Sequence, residues 1–415
     1  MKDITAILIN YTNRTFLNKA INSLNNISTR LKSIIVLQEE KSMNDHDYNL
    51  LGQIEFIFNV DPVKTLNRLI KQLKSPYVLL LQDTDYVSPT LKTSTLYLPQ
   101  NKEVMETMKH NGIYQPVLIR TSFLKKQPFL PIPFKEALLP SWLTNIDNSF
   151  RCFKGNVLKQ ARIYSSKSQM VKQEFIQKYQ LDAETNNPSL TVVIANYNMD
   201  KYIETAIVSC LLQNEKPEQI LIIDDGSTDS SYKKIQKWKD EVKINIFHQE
   251  NAGKAKALNY VLPYVTSNFM IELDADDWLD PDAISSIKKY LSNLTSDVSL
   301  LYGNLRKWKQ VENSEAIYKK IDKGAIVNTK NDLLNYRFPL GPRIYRTSIL
   351  KQVGGFPVTD FENGRLYEDV SMLIQLLQNS RFCYKDFTIY NVRQHKDSIT
   401  KKNLSKWKNF KKGLI

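Results

Sequence analysis

The sequence predicts an α/β fold built twice: two tandem units, each with a Rossmann-like, mostly parallel sheet, the N-terminal one degenerate. Three observations carry that prediction. Apolar strand-like runs alternate with segments of helical periodicity, the pattern of parallel sheets flanked by helices. The pattern of the first half recurs in the second at a nearly constant interval. A cluster of acids closes one strand of the second half, while its counterpart in the first half has lost most of them.

In chain order, Ile4 to Tyr11 reads as a buried strand. Phe16, Leu17, Ala20, Ile21 and Leu24 then share one helical face. Further strands are expected at Ser33–Leu37, Ile54–Phe58 and Tyr77–Leu81. From Leu190 the pattern starts again: Thr5, Asn10, Tyr11, Ala20, Ile21 and Ser23 match Thr191, Asn196, Tyr197, Ala206, Ile207 and Ser209 in one register. After a single insertion, Lys64 to Asn67 falls on Lys256 to Asn259, and Ser75 to Pro89 on Ser267 to Pro281. Ile119 to Ser122 later echoes Tyr345 to Ser348. Turn-rich composition between Ser165 and Ser189 marks the join, with a short connecting helix expected from Met170 to Leu181. The expected domains are therefore residues 1–165, a linker 166–189, residues 190–400 and a basic tail 401–415.

Composition narrows the function. The 415 residues suffice for two cores, and 42% hydrophobic with 24% charged residues is an ordinary globular balance. A net charge of +14 points to an anionic partner: a nucleotide, an anionic polymer or a membrane surface. Nucleic acid is disfavoured, because the chain has no zinc-finger spacing, aromatic-basic RNA signature or basic helix–turn–helix. Cys152, Cys210 and Cys383 are scattered, as reduced thiols of a cytoplasmic protein would be. The start lacks an apolar signal region and no run approaches the ~20 residues of a membrane span, so a soluble chain is expected.

The chemistry concentrates in the second half. Phe269 to Leu273 reads as a buried strand ending in Asp274, Asp276 and Asp277, with no Lys or Arg following before Lys288. Crowded carboxylates of this kind suit a hard divalent cation, Mg2+ or Mn2+, whose open positions a diphosphate can fill. The bland alternative is a polar strand end that caps the next helix. Upstream, Ala195 and Tyr197 close the first strand and could frame a base, or form an ordinary polar turn. Asp225, in Asp224-Asp225-Gly226-Ser227-Thr228-Asp229, could accept from a uracil N–H or a ribose hydroxyl; the alternative is a capped helix with no ligand. Gly253 allows close backbone approach and Lys254 can reach a diphosphate, unless it belongs to a solvated basic face. Arg343 precedes Gly354-Gly355-Phe356. Glu368 and Asp369 open a helical run, as first-turn charge or as a general base taking a proton from an acceptor hydroxyl. His395 is a metal ligand, a phosphate contact or a structural histidine.

In order, these pieces resemble the GT-A glycosyltransferases of family 2. That pattern runs from a Tyr-Asn turn through DDGSxD, NxGxxxALN, a DxDD-type motif, GGF and an ED pair to RxHxxS. Here it stands as Asn196-Tyr197-Asn198, Asp224 to Asp229, Asn251 to Asn259, Asp274 to Asp277, Gly354 to Phe356, Glu368-Asp369 and Arg393 to Ser398, with Lys396-Asp397 filling the last variable positions. The resemblance covers about residues 190–400. It implies an inverting, metal-dependent transfer from a UDP- or dTDP-sugar to a hydroxyl of a cell-surface polysaccharide, glycolipid or wall-polymer precursor. Asp369 would be the base, with Glu368 and Arg343 on the substrate. Asp225 would hold the nucleotide base and Lys254 the diphosphate. Asp277 would hold the metal, helped by Asp276, Asp274 and His395. The alternative is a catalytically weak nucleotide-sugar-binding or scaffold protein.

The first half keeps the frame but has Gln82, Thr84 and Asp85 where the second has Asp274, Asp276 and Asp277. Alternation along an extended chain would point Asp83 away from the site. Acceptor recognition, pairing with another protein (a second copy of the chain included) and support of the second unit stay open as its role. In the tail, Leu404, Trp407, Phe410 and Leu414 recur at near-helical spacing among Lys401, Lys402, Lys406, Lys408, Lys411 and Lys412. That predicts an amphipathic basic helix, either docked on the inner face of a membrane near a lipid-linked acceptor or packed on its own protein.

Overall fold

The computed structural model describes residues 2–38, 53–58, 61–109, 112–161, 166–182, 187–311, 315–336, 339–359, 361, 366–396 and 406–413. Two compact units emerge: Met1–Gln180 with Glu312–Glu315, and Leu181–Val311 with Ala316–Ile415. The boundary corrects the expected linker. The helix Lys167–Gln177 belongs to the first unit, where Phe175 and Ile176 are buried and the Phe175 ring lies 5.2 Å from that of Phe134. Ser166 and Gln169 close its N-terminus as a reciprocal capping box.

Strands are numbered in chain order. The first unit contains β1 (Ile4–Ile9), β2 (Leu31–Gln38), β3 (Gln53–Phe58), β4 (Tyr77–Gln82), β5 (Asp85–Val87), β6 (Val104–Met108), β7 (Tyr114–Arg120), β8 (Arg151–Phe153) and β9 (Leu158–Gln160). The second contains β10 (Leu190–Asn196), β11 (Gln219–Asp225), β12 (Ile244–Gln249), β13 (Phe269–Asp274), β14 (Trp278–Leu279), β15 (Val298–Gln310), β16 (Ala316–Asp322), β17 (Ile344–Arg346) and β18 (Arg381–Gln394). The main sheet of the first unit runs β3-β2-β1-β4-β7-β6-β8. That of the second runs β12-β11-β10-β13-β17-β15-β18-β14, with β16 beside β15. In both, four parallel strands meet an antiparallel neighbour after the fourth.

The strands read as near-continuous apolar runs because both faces of each sheet are covered. Along β10, Leu190, Val192 and Ile194 enter one core and Val193 the other. Ile4, Ala6 and Leu8 divide from Ile7 and Ile9 in the same way along β1. The sequence repeat has counterparts at atomic level. Ser23 Oγ accepts from the Val87 amide at 2.9 Å, as Ser209 Oγ does from Leu279 at 3.1 Å. Asn67 bridges the backbone N–H and C=O of Phe129, and Asn259 does the same for Phe356. The Arg120 guanidinium lies over Tyr77 and that of Arg346 over Phe269.

The amphipathic tail is the helix Trp407–Gly413, and it packs on its own unit. Phe410 is buried against Tyr367 and Phe361, at ring distances of 4.7 and 5.2 Å. Of the two expectations for the tail, the described part agrees with packing on its own protein. Leu404, Leu414, Lys401 and Lys402 lie outside the described residues. Among the described residues, no helix is long and apolar enough to cross a membrane.

Candidate active site

The parallel strands β10, β11, β12 and β13 end at one edge of the second sheet, where α/β folds bind ligands. Asp274 closes β13 opposite Ala195 of β10. The chain then turns rather than continuing extended, and the Asp277 amide bonds back to the Asp274 carbonyl at 3.0 Å. A turn follows the strand in the first unit too, where Asp83 has φ +63° and its amide meets the Ile9 carbonyl. The alternation expected for Asp83 therefore does not apply. Burial instead pushes its carboxyl up to about 6, with Lys109 opposing the rise.

The acids of the DADD stretch find partners that are distant in sequence. Asp274 pairs with Lys254, whose ammonium also lies 2.7 Å from Glu272. Asp276 pairs with His395 at 2.9 Å. Asp277 is buried, and its carboxylate accepts the Arg393 amide at 2.7 Å. Burial, then the charges of Asp276 and Asp274, push the Asp277 carboxyl well above the usual range. The Arg393 guanidinium lies over Tyr202 and Trp278, both at 4.7 Å, and donates to the Asp276 carbonyl. Of the expected ligand set, Asp274, Asp276 and Asp277 lie at the end of one strand and His395 meets Asp276. Among the described residues, no three His, Cys, Asp or Glu side chains converge as a ready-made cage. The donor set fits a cation held by one or two carboxylates and completed by a diphosphate, the usual habit of Mg2+. Asp397 and Ser398 lie outside the described residues.

The nucleotide-side motifs hold one another. Asp225 accepts from Gln249 at 2.6 Å and from the amides of Ala252 and Gly253 at 2.8 and 2.9 Å. It thus ties the end of β11 to the loop that presents Lys254. Asp224, fully buried, accepts from Asn196, Ser227 and His248. The next helix, Ser231–Ile235, starts after Asp229, which accepts the Ser231 amide, and Ser227 braces the strand end by donating to Asp224. Gly226 sits at φ +69°, where an added Cβ would meet the Asn251 amide nitrogen at 2.5 Å. Tyr197 remains 44% exposed.

Sequence reasoning missed the centre of the site, Glu272. It is 2% exposed, points from β13 toward the second core, and is gripped by Arg343 through two parallel bonds of 2.9 and 3.0 Å. Tyr345 adds a third donor at 3.5 Å and Lys254 a fourth. Burial would raise the Glu272 carboxyl, but Arg343 and Lys254 outweigh it and hold it at about 2. The remaining Arg343 nitrogen reaches Asp369 at 3.3 Å. Arg343, expected to touch substrate, thus links the metal-side acids to the candidate base. The available signal was a carboxylate inside an apolar strand, matched by Leu80 in the first half.

Glu368 and Asp369 open the helix Glu368–Leu377. Burial, then the Asp369 charge, raise the Glu368 carboxyl to about 7. A folded pKa above the unfolded value of 4.5 means that the native state loses stability as pH climbs from about 4.5 to 7. Glu368→Gln removes that penalty. Its stability advantage over the wild type should grow across this window to an amount on the order of 2 kcal/mol and then level off, as read by urea unfolding at several pH values.

The corresponding place in the first unit holds an internal ion pair. Asp85 is fully buried and accepts from Gln115 at 2.8 Å, and Lys109 Nζ lies 3.3 Å away. Where the second unit has Lys254, Glu272 and Arg343, the repeat register gives Pro62, Leu80 and Val117. Glu136, followed by Ala137 rather than an aspartate, accepts from Lys172 at 3.0 Å. Lys109→Met should destabilise the first unit by about 3 kcal/mol by stranding Asp85, whereas Lys109→Met with Asp85→Asn should cost much less; urea melts would read both.

A lysine beside crowded acids and a helix-borne carboxylate stand at the carboxyl edge of a parallel sheet, in the order expected of a GT-A-type domain. Residues 191–354 match the family model described as Glycosyl transferase family 2. The matched residues lie within the second unit. Identity is 24% to Glycosyltransferase GlyA of Streptococcus pneumoniae, over 52% of this chain and 32% of that protein. It is 27% to the poly(ribitol-phosphate) beta-N-acetylglucosaminyltransferase TarS of Staphylococcus aureus, over 39% of this chain and 28% of that protein. It is 31% to a hyaluronan synthase of Pasteurella multocida, over 26% of this chain and 11% of that protein. The chain thus spans about a third or less of the length of these relatives. Superposition on the crystal structure of S. aureus TarS gives a TM-score of 0.39 at 20% identity, covering 50% of this chain and 37% of that one.

Proposed function

We propose that the second unit transfers a sugar from a nucleoside-diphosphate sugar to a hydroxyl of a surface-polymer, glycan or lipid-linked acceptor, with inversion and with the help of Mn2+ or Mg2+. One observation carries the reading: Glu272 joins Lys254, Arg343 and Asp274 in one buried charge network that reaches Asp369. The residues expected to meet the leaving diphosphate and the attacking hydroxyl are thereby fixed relative to one another. TarS, a relative by sequence, is named for N-acetylglucosamine transfer to poly(ribitol phosphate), and that supports a UDP-sugar donor and an anionic polymer acceptor. The +14 charge suits both. The three free cysteines favour the cytoplasm as the location.

In this reading Asp369 takes the proton from the acceptor hydroxyl. The acceptor oxygen attacks the anomeric carbon as the bond to the diphosphate breaks, and the electron pair leaves with the diphosphate. Lys254 shifts its charge from Asp274 toward the diphosphate oxygens, while Glu272 keeps it anchored. Asp276 and His395 would hold the divalent cation, which supplies Lewis-acid stabilisation of the leaving group. Asp225 holds the loop and offers the base its remaining lone pairs. We read the first unit as a copy of the same fold in which Lys109 has taken over the cation's place beside Asp85.

Calorimetry of UDP with and without Mn2+, followed by a panel of sugar nucleotides, tests this reading. Metal-dependent binding with turnover of at least one donor is expected. Binding without turnover of any donor would favour the scaffold reading instead. Salt-sensitive binding to oligonucleotides would reopen nucleic acid as the partner.

A further inference from the structure

The C-terminal helix Trp407–Gly413 has an aromatic partner of unusual backbone geometry. Tyr367, the residue just before Glu368 and Asp369, sits in the left-handed region at φ +60°, ψ +26°. That conformation is an outlier for a bulky residue and persists only when the surroundings impose it, at a penalty of roughly 1–3 kcal/mol. Here the surroundings are rings. Tyr367 lies 4.7 Å from Phe410, 5.2 Å from Trp407 and 5.9 Å from Phe361. Phe361 and Trp407 in turn contact Phe410, at 5.2 and 5.8 Å. Lys411 fixes the far side of the helix by donating to Asn335 at 2.9 Å.

The Tyr367 carbonyl already belongs to the helix it precedes, because it accepts from both the amide and the hydroxyl of Ser371 at 3.0 Å. Tyr367 therefore sets the direction in which the chain enters that helix. Two residues on, Asp369 reaches Arg343 at 3.3 Å, a length that a small rotation of the first turn would break.

We infer that the C-terminal helix is a positioning brace for the candidate base: Trp407 and Phe410 hold Tyr367 left-handed, and Tyr367 aims Asp369. The inference rests on the reading of Asp369 as the base. It gives the tail's aromatic residues a role inside the active unit.

The test uses the full chain. Phe410→Ala is expected to lower kcat about tenfold to a hundredfold, with UDP affinity in Mn2+ unchanged. In an Asp369→Asn background it should lower kcat no further, because a brace acting only through Asp369 has nothing left to aim. Hydrogen exchange reads the brace without turnover: the Val370 and Ser371 amides should exchange at least about tenfold faster in Phe410→Ala, with strand β13 unchanged. Should Phe410→Ala not fold, Trp407→Leu carries the same expectations with Phe410 in place. Wild-type kcat, or a loss that adds in full to that of Asp369→Asn, would overturn the brace. Unchanged exchange would overturn it too, even if the chain transfers no sugar. A wild-type chain without turnover but with faster exchange in the variant would instead refute the functional reading alone.

Discussion

Replacing Glu272 with alanine is expected to destabilise the second unit by about 3–5 kcal/mol and to lower sugar transfer by about a hundredfold or more. The size follows from what is left behind. Arg343 is buried and Lys254 half-buried, their largest shared counter-charge is Glu272, and breaking a buried pair leaves an uncompensated charge. Lys254 retains Asp274, and Arg343 retains Asp369 and a distant Asp274. Both cations are then free to turn onto those acids, so the base and the metal-side carboxylates are disturbed together. Glu272→Gln separates charge from shape. Because the Glu272 carboxyl is held at about 2 against an ordinary 4.5, its stabilising effect is fully present above pH 4.5 and is lost as pH falls toward 2. The stability gap between wild type and Glu272→Gln should be flat above pH 5 and narrow below it. A gap independent of pH down to 3 in urea melts would show that the carboxylate's charge is not what holds the network.

Asp369→Asn is the second large effect, expected in kcat alone. General-base catalysis contributes about 10² to 10⁴ in rate, and asparagine keeps the shape while losing the ability to take a proton. Because Asp225, Lys254 and the acid cluster remain, UDP binding in Mn2+ should persist. Normal turnover by this variant would remove Asp369 from the reaction and direct attention to Glu368, the neighbouring half-buried carboxyl. Loss of both binding and turnover would mean that Asp369 acts through Arg343 on the whole network.

Much of the fold was legible because strands and helices advertise themselves by period. The runs at Ile4, Tyr77, Leu190 and Phe269 all became strands within a residue or two of their expected bounds. The join was misplaced because linker composition resembles a capped helix start: Ser166 and Gln169, read as linker, form a capping box. Within the site, strand-end acids were visible because charge crowding is a local property. Their partners were not, since Lys254, Arg343 and His395 reach Asp274, Glu272 and Asp276 only through the sheet. Glu272 itself was hidden by an apolar frame that identified the strand and drew attention from the one residue at odds with it. Comparison of the repeats held the missing clue, because Leu80 and Val117 replace Glu272 and Arg343 together.

That paired replacement makes the divergence of the two units hard to reverse. A glutamate restored at Leu80 would enter a buried position with Val117 where its arginine should be. An arginine restored at Val117 would meet the leucine instead. Either step alone buries an unpaired charge and would threaten the fold before any catalytic gain appeared. Lys109 closes the route further, since a cation returning to Asp85 would have to compete with an ammonium already fixed there. Evolution of the first unit thus works as a ratchet. Its surface can drift toward new partners, while acquiring the charge network of the second unit requires several simultaneous substitutions.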